Sequence, residues 1–350
     1  MCTRTTSQNT FGPIDKRYFL FSGLHHFPFF HIIEISNFKE GISMVILVLV
    51  ILAVIILGGS YYAYRLAFFS PAEGRNKVTE PIGKHYDPFR GTIEEMFRVI
   101  LARPCEEIAI TSHDGLTLMG RYYHTADGAP LCIGFHGYKS TYVADFSGGS
   151  ALCIAQGCNL LLVDQRAHGK SDGNTISFGI LERRDVLSWV NYAVHRFGAN
   201  TKICLMGVSM GAATVLMAAG LDLPKNVKGI VADCPFAKAS DIIVEVGKKM
   251  GFPAWFTVPF ARLGAWIFGR FDLYETDAVG AVKQAKVPIL IIHGEADTLV
   301  PQEMSQLVRL ANPEMVRRVT FPNAGHAMSY LVDTERYWDI AIQIFKEIFP

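Results

Sequence analysis

KICLMGVSMGAATVLMAAGL, residues 202–221, places a serine at a strand-to-helix bend. Ile203 to Val208 is an apolar run of strand length, and from Met210 onward the Ala-rich pattern reads as a helix, so Gly207-Val208-Ser209-Met210-Gly211 spans the turn between them. A bend that sharp forces its central residue into strained backbone geometry, and the flanking glycines stand where larger side chains would clash. Ser209 is then exposed at the C-terminal edge of a sheet. The helix N-terminus behind it favours developing negative charge.

On either side of this turn, strand-like and helical patterns alternate. EEIAITSHDGLTLMGRYYH (106–124) is two alternating apolar runs joined around Asp114-Gly115, a strong hairpin signal. PLCIGFHG (130–137) and NLLLVDQ (159–165) read as strands, DFSGGSALCIAQG (145–157) and ILERRDVLSWVNYAVHRFG (180–198) as helices. After the serine come the strands VKGIVADCP and VPILIIHGEAD, the helix QEMSQLVRLA, the strand RRVTFPNAGH and a last helix. This is the rhythm of βα units on a parallel sheet, an α/β fold. It breaks between Phe236 and Leu273, where two helical segments hold Phe252, Trp255, Phe256, Phe260, Trp266 and Phe268. A lid at 236–273 lining an acyl or aromatic pocket explains so many aromatics better than two surface helices do.

A serine hydroxyl is a poor nucleophile until a neighbouring base takes its proton, and that base needs a carboxylate to orient it. His326, in PNAGHAM between the last strand and the last helix, is the expected base. Asp297, in HGEADTLVP between a strand and a helix, is the expected acid, and the order Ser209, Asp297, His326 fits this type of turn. Asp233, ending the strand VADCPF, is a second candidate acid, more suited to a hydrogen bond with its loop. The oxyanion of an attacked carbonyl needs two backbone N–H donors, expected at Met210 and Tyr138, the latter in FHGYKST. His136 reads as a structural histidine of that loop. The polar stretch DQRAHGKSDG (164–173) reads as a buried network pinning the loops around the site, with Glu182 and Asp185 capping a helix or joining it.

From Gly41 to Tyr64 there is no charged residue, and Met44 to Leu57 is almost purely Ile, Val and Leu. This is enough to cross about 30 Å of hydrocarbon, so 42–64 reads as a transmembrane anchor with Tyr61, Tyr62 and Tyr64 as its aromatic belt. A cleaved signal peptide is the rival reading; GGSYYAYRLAFF offers no small-x-small cleavage site. Arg65, Arg75 and Lys77 follow the helix, and Lys39 alone is near on the other side, which leans the following domain toward the cytoplasm. Residues 1–41 read as a poorly ordered extension, with Met44 an alternative start, and 65–103 as a juxtamembrane linker with a short helix at TIEEMFRVILA. The folded domain is expected over 104–350.

With 350 residues, half apolar and 19% charged, the chain supports one domain of about 250 residues beyond this extension. A net charge of +1 excludes a broad basic face for nucleic acid. The seven cysteines, Cys2, Cys105, Cys132, Cys153, Cys158, Cys204 and Cys234, show no CxxC spacing for zinc and read as packing residues. An odd number of free thiols points to a reducing compartment.

HGY, DQRAHG, GVSMG, HGEAD and AGH, in this order, make residues 105–350 resemble the α/β-hydrolase superfamily. Within it they are similar to the bacterial membrane-anchored serine esterase and lipase branch, with its monoacylglycerol-lipase-like and serine-aminopeptidase-like members. The resemblance implies an eight-stranded, mostly parallel sheet with flanking helices, a short helical cap after the sixth strand, and no cofactor. Ala167 departs from the second glycine of DxRGHG in many relatives. The expected activity is hydrolysis of a small-molecule or lipid-like carboxylic ester through an acyl-serine. Thioester hydrolysis, protein deacylation, acyl transfer or prolyl aminopeptidase activity is the first alternative, and a non-catalytic binding module on the same scaffold the second. Oligomeric state is not legible.

Overall fold

A computed structural model describes residues 28–75, 77 and 84–349. Two units separate near Ile56, and the second, from Leu57 onward, carries the fold. Helix α1 (Pro28–Ala67) extends past the expected 42–64 at both ends. Residues 28–41 of the expected extension belong to this helix, and no proline interrupts the chain between Pro28 and Pro71. Residues 1–27, with Cys2, lie outside the described residues, as do 76 and 78–83 of the expected linker.

A 3-10 turn at Lys84–Phe89 leads into α2 (Arg90–Ala102). The hairpin of β1 (Glu106–Thr111) and β2 (Thr117–Tyr123) follows, with Asp114-Gly115 at its turn. Then come β3 (Leu131–Phe135), α3 (Tyr142–Ala155), β4 (Asn159–Val163), α4 (Glu182–Phe197), β5 (Ile203–Val208), α5 (Met210–Ala218) and β6 (Val227–Asp233). Helices α6 (Ala239–Lys249), α7 (Ala254–Gly264) with a π turn at Ala265–Gly269, and α8 (Ala278–Val282) fill the interval before β7 (Ile289–Gly294). The chain closes with α9 (Gln302–Ala311), β8 (Val316–Phe321), α10 (Ser329–Val332) and α11 (Thr334–Ile348).

These strands form one eight-stranded sheet in the order β1-β2-β4-β3-β5-β6-β7-β8. Only β2 runs against its neighbours; β3 to β8 are parallel, with Ile133 beside both Leu161 and Leu205. Strands covered on both faces need apolar residues throughout, and LCIGF and NLLLV are buried at every position. One core cluster joins Leu205, Ile230 and Ile291 to Trp189 and α5; the other joins Cys204, Met206 and Ile292 to α2, α3 and α11. Each buried Ile, Leu or Phe contributes about 1.5–3 kcal/mol.

The region expected to be a linker is part of this core. Ile93, Phe97 and Ile100, on one face of α2, are buried in the second cluster with Phe146 and Leu152 of α3. Of the six described cysteines, five are buried and Cys105 is exposed, so the packing role expected of all of them does not hold there.

Candidate active site

The parallel strands bring their C-terminal ends to one edge, where the chain leaves β3, β5, β6, β7 and β8 with Gly137, Ser209, Cys234, Asp297 and His326 close behind. Ser209 has φ 54° and ψ −114°, a region that costs a residue with a side chain about 1–3 kcal/mol. Its neighbours explain why the turn is glycine-bounded. A Cβ on Gly207 would lie 2.3 Å from Gly211 O, and one on Gly211 1.8 Å from Phe135 O. The Ser209 amide donates to Asp233 O at 2.8 Å, which pins the turn to the adjacent strand.

His326 stands 2.8 Å from Ser209 Oγ through Nε2 and 2.7 Å from Asp297 Oδ2 through Nδ1. An ionised carboxylate only accepts, so Nδ1–H donates to Asp297 and Nε2 is left to accept from the serine hydroxyl. The other Asp297 oxygen accepts from the amides of Leu299 and Val300, both at 2.9 Å. Burial pushes this carboxyl up, but hydrogen bonds from His293 and His326 outweigh it and hold Asp297 below the usual carboxylate range. His293, fully buried, puts Nε2 3.3 Å from Asp297 Oδ2 while donating to Val300 O at 3.0 Å. The sequence reading missed His293; its position on the strand leading to Asp297 was the available signal.

Asp233, the second candidate acid, is turned elsewhere. It accepts from Tyr337 of α11 at 3.2 Å rather than from its own loop, and its Oδ1 has no partner among the described residues. Burial pushes its carboxyl up to about 6. The thiol of Cys234 approaches His326 Nε2 at 3.9 Å. Cys234, Asp297 and His326 bring metal-type donors together, as do His113, Asp114 and Asp185. In both groups the carboxylates are engaged, with His326 and with Arg166 respectively.

The amides of Met210 and Tyr138 have no hydrogen-bond partner among the described residues. Met210 opens α5, whose N-terminal dipole adds partial positive charge. The Tyr138 loop is fixed by Asp145, which sequence reading also missed: its carboxylate accepts from Gly137 N at 2.5 Å and Ser140 Oγ at 2.8 Å. Burial raises the Asp145 carboxyl. An acid in the first turn of the helix after FHGYKST was the signal for it. The Tyr138 phenol donates to Ala67 O at 2.9 Å and stacks on Phe178.

His136 is structural, its Nδ1 donating to Gly137 O at 2.9 Å and its Nε2 accepting from Gln165 N at 3.2 Å. The 164–173 loop forms the expected network. Arg166 is buried and forks onto Asp185 at 2.6 and 2.7 Å and onto Asp114 at 2.9 and 3.1 Å. His168 accepts from Lys139 N at 2.9 Å, and burial keeps its imidazole well below its ordinary value, hence neutral. Glu182 accepts from Ser177 N and Gly179 N, closing the loop before α4. Ala167 has φ 60°, in the left-handed region that favours glycine, so alanine is held there at some backbone cost.

A cavity of about 430 Å³ opens beside Ser209 and His326. Its apolar wall comes from Ile93, Met96 and Phe97 of α2, with Met206, Val231 and Leu331. The aromatics expected to line it from 236–273 do not: Phe252, Trp255, Phe256, Phe260, Trp266 and Phe268 are all absent from its walls. Phe252, Trp255, Phe256 and Phe260 pack on one another, Phe260 and Phe268 meet the last turns of α1, and Trp266 is exposed. Part of the pocket's wall is supplied by the segment read as a linker.

A serine on a glycine-bounded turn between β5 and α5 of such a sheet places the chain in the alpha/beta hydrolase family, whose profile matches residues 133–339. YqkD of Bacillus subtilis is 29% identical over 189 residues, which cover 53% of this chain and 61% of that protein. Among solved structures, an esterase of Pyrococcus furiosus superposes with a TM-score of 0.60 at 22% identity, covering 81% of this chain and 99% of that one. Est1E of Butyrivibrio proteoclasticus, with ferulic acid bound, gives 0.52 at 23% identity, covering 67% and 98%. At such identities the likeness speaks for the fold.

Proposed function

We propose that this hydrolase cleaves a carboxylic ester through an acyl-serine at Ser209, with His326 as base, Asp297 as its orienting acid, and Met210 and Tyr138 as oxyanion donors. The observation that carries this is the hydrogen-bond relay from Ser209 Oγ through His326 to Asp297, on the wall of an apolar cavity. As Oγ attacks the carbonyl carbon, its proton passes to His326 Nε2 and the carbonyl electron pair moves onto oxygen, between the two free amides. His326 returns the proton to the leaving alcohol as the C–O bond breaks. A water then repeats the sequence, giving its proton to His326 and its oxygen to the acyl carbon, and Ser209 leaves reprotonated. Asp297 stays ionised throughout, consistent with its depressed titration.

The cavity walls of Met96, Phe97, Met206 and Val231 suit the acyl part of the ester. One fold neighbour is named an esterase and another holds ferulic acid, which supports the same class. The chain is tethered to a membrane through residues 42–64, whose apolar side chains from Met44 to Leu52 are all exposed. The charge bias of Arg65, Arg75 and Lys77 over Lys39 puts the domain of residues 104–350 on the cytoplasmic side.

A fluorophosphonate probe is expected to label the wild type at Ser209 and leave Ser209→Ala unlabelled. Equal labelling of the two overturns the proposal. Matched p-nitrophenyl esters and acyl-CoA thioesters then separate ester from thioester chemistry, and labelling without turnover of either favours a binding module.

A further inference from the structure

The aromatics of 236–273 form a built contact on one side and a bare surface on the other. On the built side, α7 meets the last turns of α1. The Phe260 ring covers Gly59 so closely that a Cβ there would lie 2.7 Å from it, and a Cβ on Gly264 would lie 2.4 Å from Ser60 O. Small residues at a close backbone crossing are the packing used between helices in lipid. Phe268 of the π turn meets Tyr61 edge-on at 5.1 Å and Tyr64 at 5.9 Å. Tyr64 in turn bonds Thr175 of the hydrolase body at 2.8 Å.

On the bare side, Trp255 is 77% exposed and Trp266 66%, with Phe252, Phe256 and Ile267 each 37% exposed. Leaving large apolar side chains in water forgoes much of the burial energy available to each, so such a patch marks a surface that meets something apolar. None of these residues lines the cavity at Ser209, so substrate binding does not account for them.

We propose that this face of α7 and the π turn lies in the interfacial layer of the bilayer that α1 enters, giving the hydrolase a second, non-spanning membrane contact. This rests on the reading of residues 42–64 as the membrane anchor. Continuity of the patch with α1 selects lipid as the occupant. At 1.5 Å per residue, about 30 Å of hydrocarbon beginning at Ile42 ends near Tyr61, and Tyr61 is the residue that touches Phe268. Tryptophan and tyrosine favour that depth, where a ring sits in apolar surroundings and its polar edge stays wet. Charge agrees, since Arg262, the one basic residue of α7, is held by Asp272 at 3.4 Å and lies over the Tyr274 ring.

The test uses the full chain in phosphatidylcholine vesicles, with flotation to establish anchoring and lipid-borne bromine to quench tryptophan emission. Trp189 is buried and serves with Trp338 as internal background. Wild-type emission is expected to be quenched by bromine on the lipid chains and to resist aqueous iodide. The quenchable part is expected to be lost in the double variant Trp255→Phe/Trp266→Phe, whose cooperative urea transition controls for folding. A chain that floats yet shows equal bromine quenching in wild type and variant, or iodide quenching of the two tryptophans, overturns the second contact while sparing the anchor. Emission that resists both quenchers and varies with protein-to-lipid ratio assigns the face to a second copy and overturns it as well. A chain that does not float overturns the anchor and this contact together.

Discussion

Tyr337 donates its phenol to Asp233 Oδ2 at 3.2 Å, and Oδ1 of that buried carboxylate has no partner among the described residues. A charge so placed is poorly solvated, and burial pushes the carboxyl from an ordinary 3.8 to about 6. With the folded value above the unfolded one, the folded protein holds the extra proton between these two limits. Stability from this group is therefore fully present below the unfolded value and is lost as pH rises through about 6. A shift of roughly two units corresponds to about 3 kcal/mol. Urea unfolding of wild type and Asp233→Asn across pH 4 to 7 is expected to show the wild type losing stability relative to the variant by an amount of that order. Parallel curves contradict the assignment.

Gly211→Ala is expected to abolish folding. Its new Cβ lies 1.8 Å from Phe135 O, and β3 is held on both sides by β4 and β5, so the strand has nowhere to go. A loss above about 4 kcal/mol follows from a clash with fixed backbone. Gly128→Ala is the control, since it too changes a glycine, at φ 71°, but with nothing within 4 Å. It should cost only about 1 kcal/mol. Urea midpoints of the two variants check the contrast.

Asp297→Asn tests whether the carboxylate orients His326. Asparagine keeps the shape but can present an N–H to Nδ1, which favours the tautomer whose Nε2–H cannot accept from Ser209. A fall of about 10⁴ in kcat with little change in KM is expected, by analogy with such relays. Steady-state ester hydrolysis measures it, and a variant within tenfold of wild type sinks the assignment.

The strand-to-helix turn was legible because its determinants are local: two glycines four residues apart, a strand before and a helix after. The alternation of patterns likewise carried the parallel sheet. What failed depended on contacts distant in the chain. TIEEMFRVILA read as a short helix in a linker, and nothing local says that Ile93 and Phe97 pack on α3 and wall the cavity. The lid aromatics called for a partner, yet composition alone does not distinguish a substrate pocket from Gly59 and Tyr61 of α1. Asp145 and His293 were single polar residues on a helix and a strand, and only the fold gives them Gly137 and Asp297 as neighbours.

Gly149→Ala probes where the acyl group lies. Gly149 lines the cavity in the middle of α3, and a Cβ there meets only Met206 and Phe146 atoms, each at 3.9 Å, so the methyl fits without displacing anything. Alanine in a helix interior is also favoured over glycine by about 0.5–1 kcal/mol, so the variant should unfold at slightly higher urea. The methyl takes cavity space an acyl chain would use. The longest ester accepted should shorten by about one methylene, with kcat/KM for that ester falling about tenfold or more and short esters unaffected. Gly148→Ala separates this from a packing effect, because its Cβ falls 2.6 Å from the Tyr330 ring and should lower stability instead. A length profile unchanged in a folded, slightly stabilised Gly149→Ala means that the acyl chain does not run along α3, and the cavity then holds another part of the substrate.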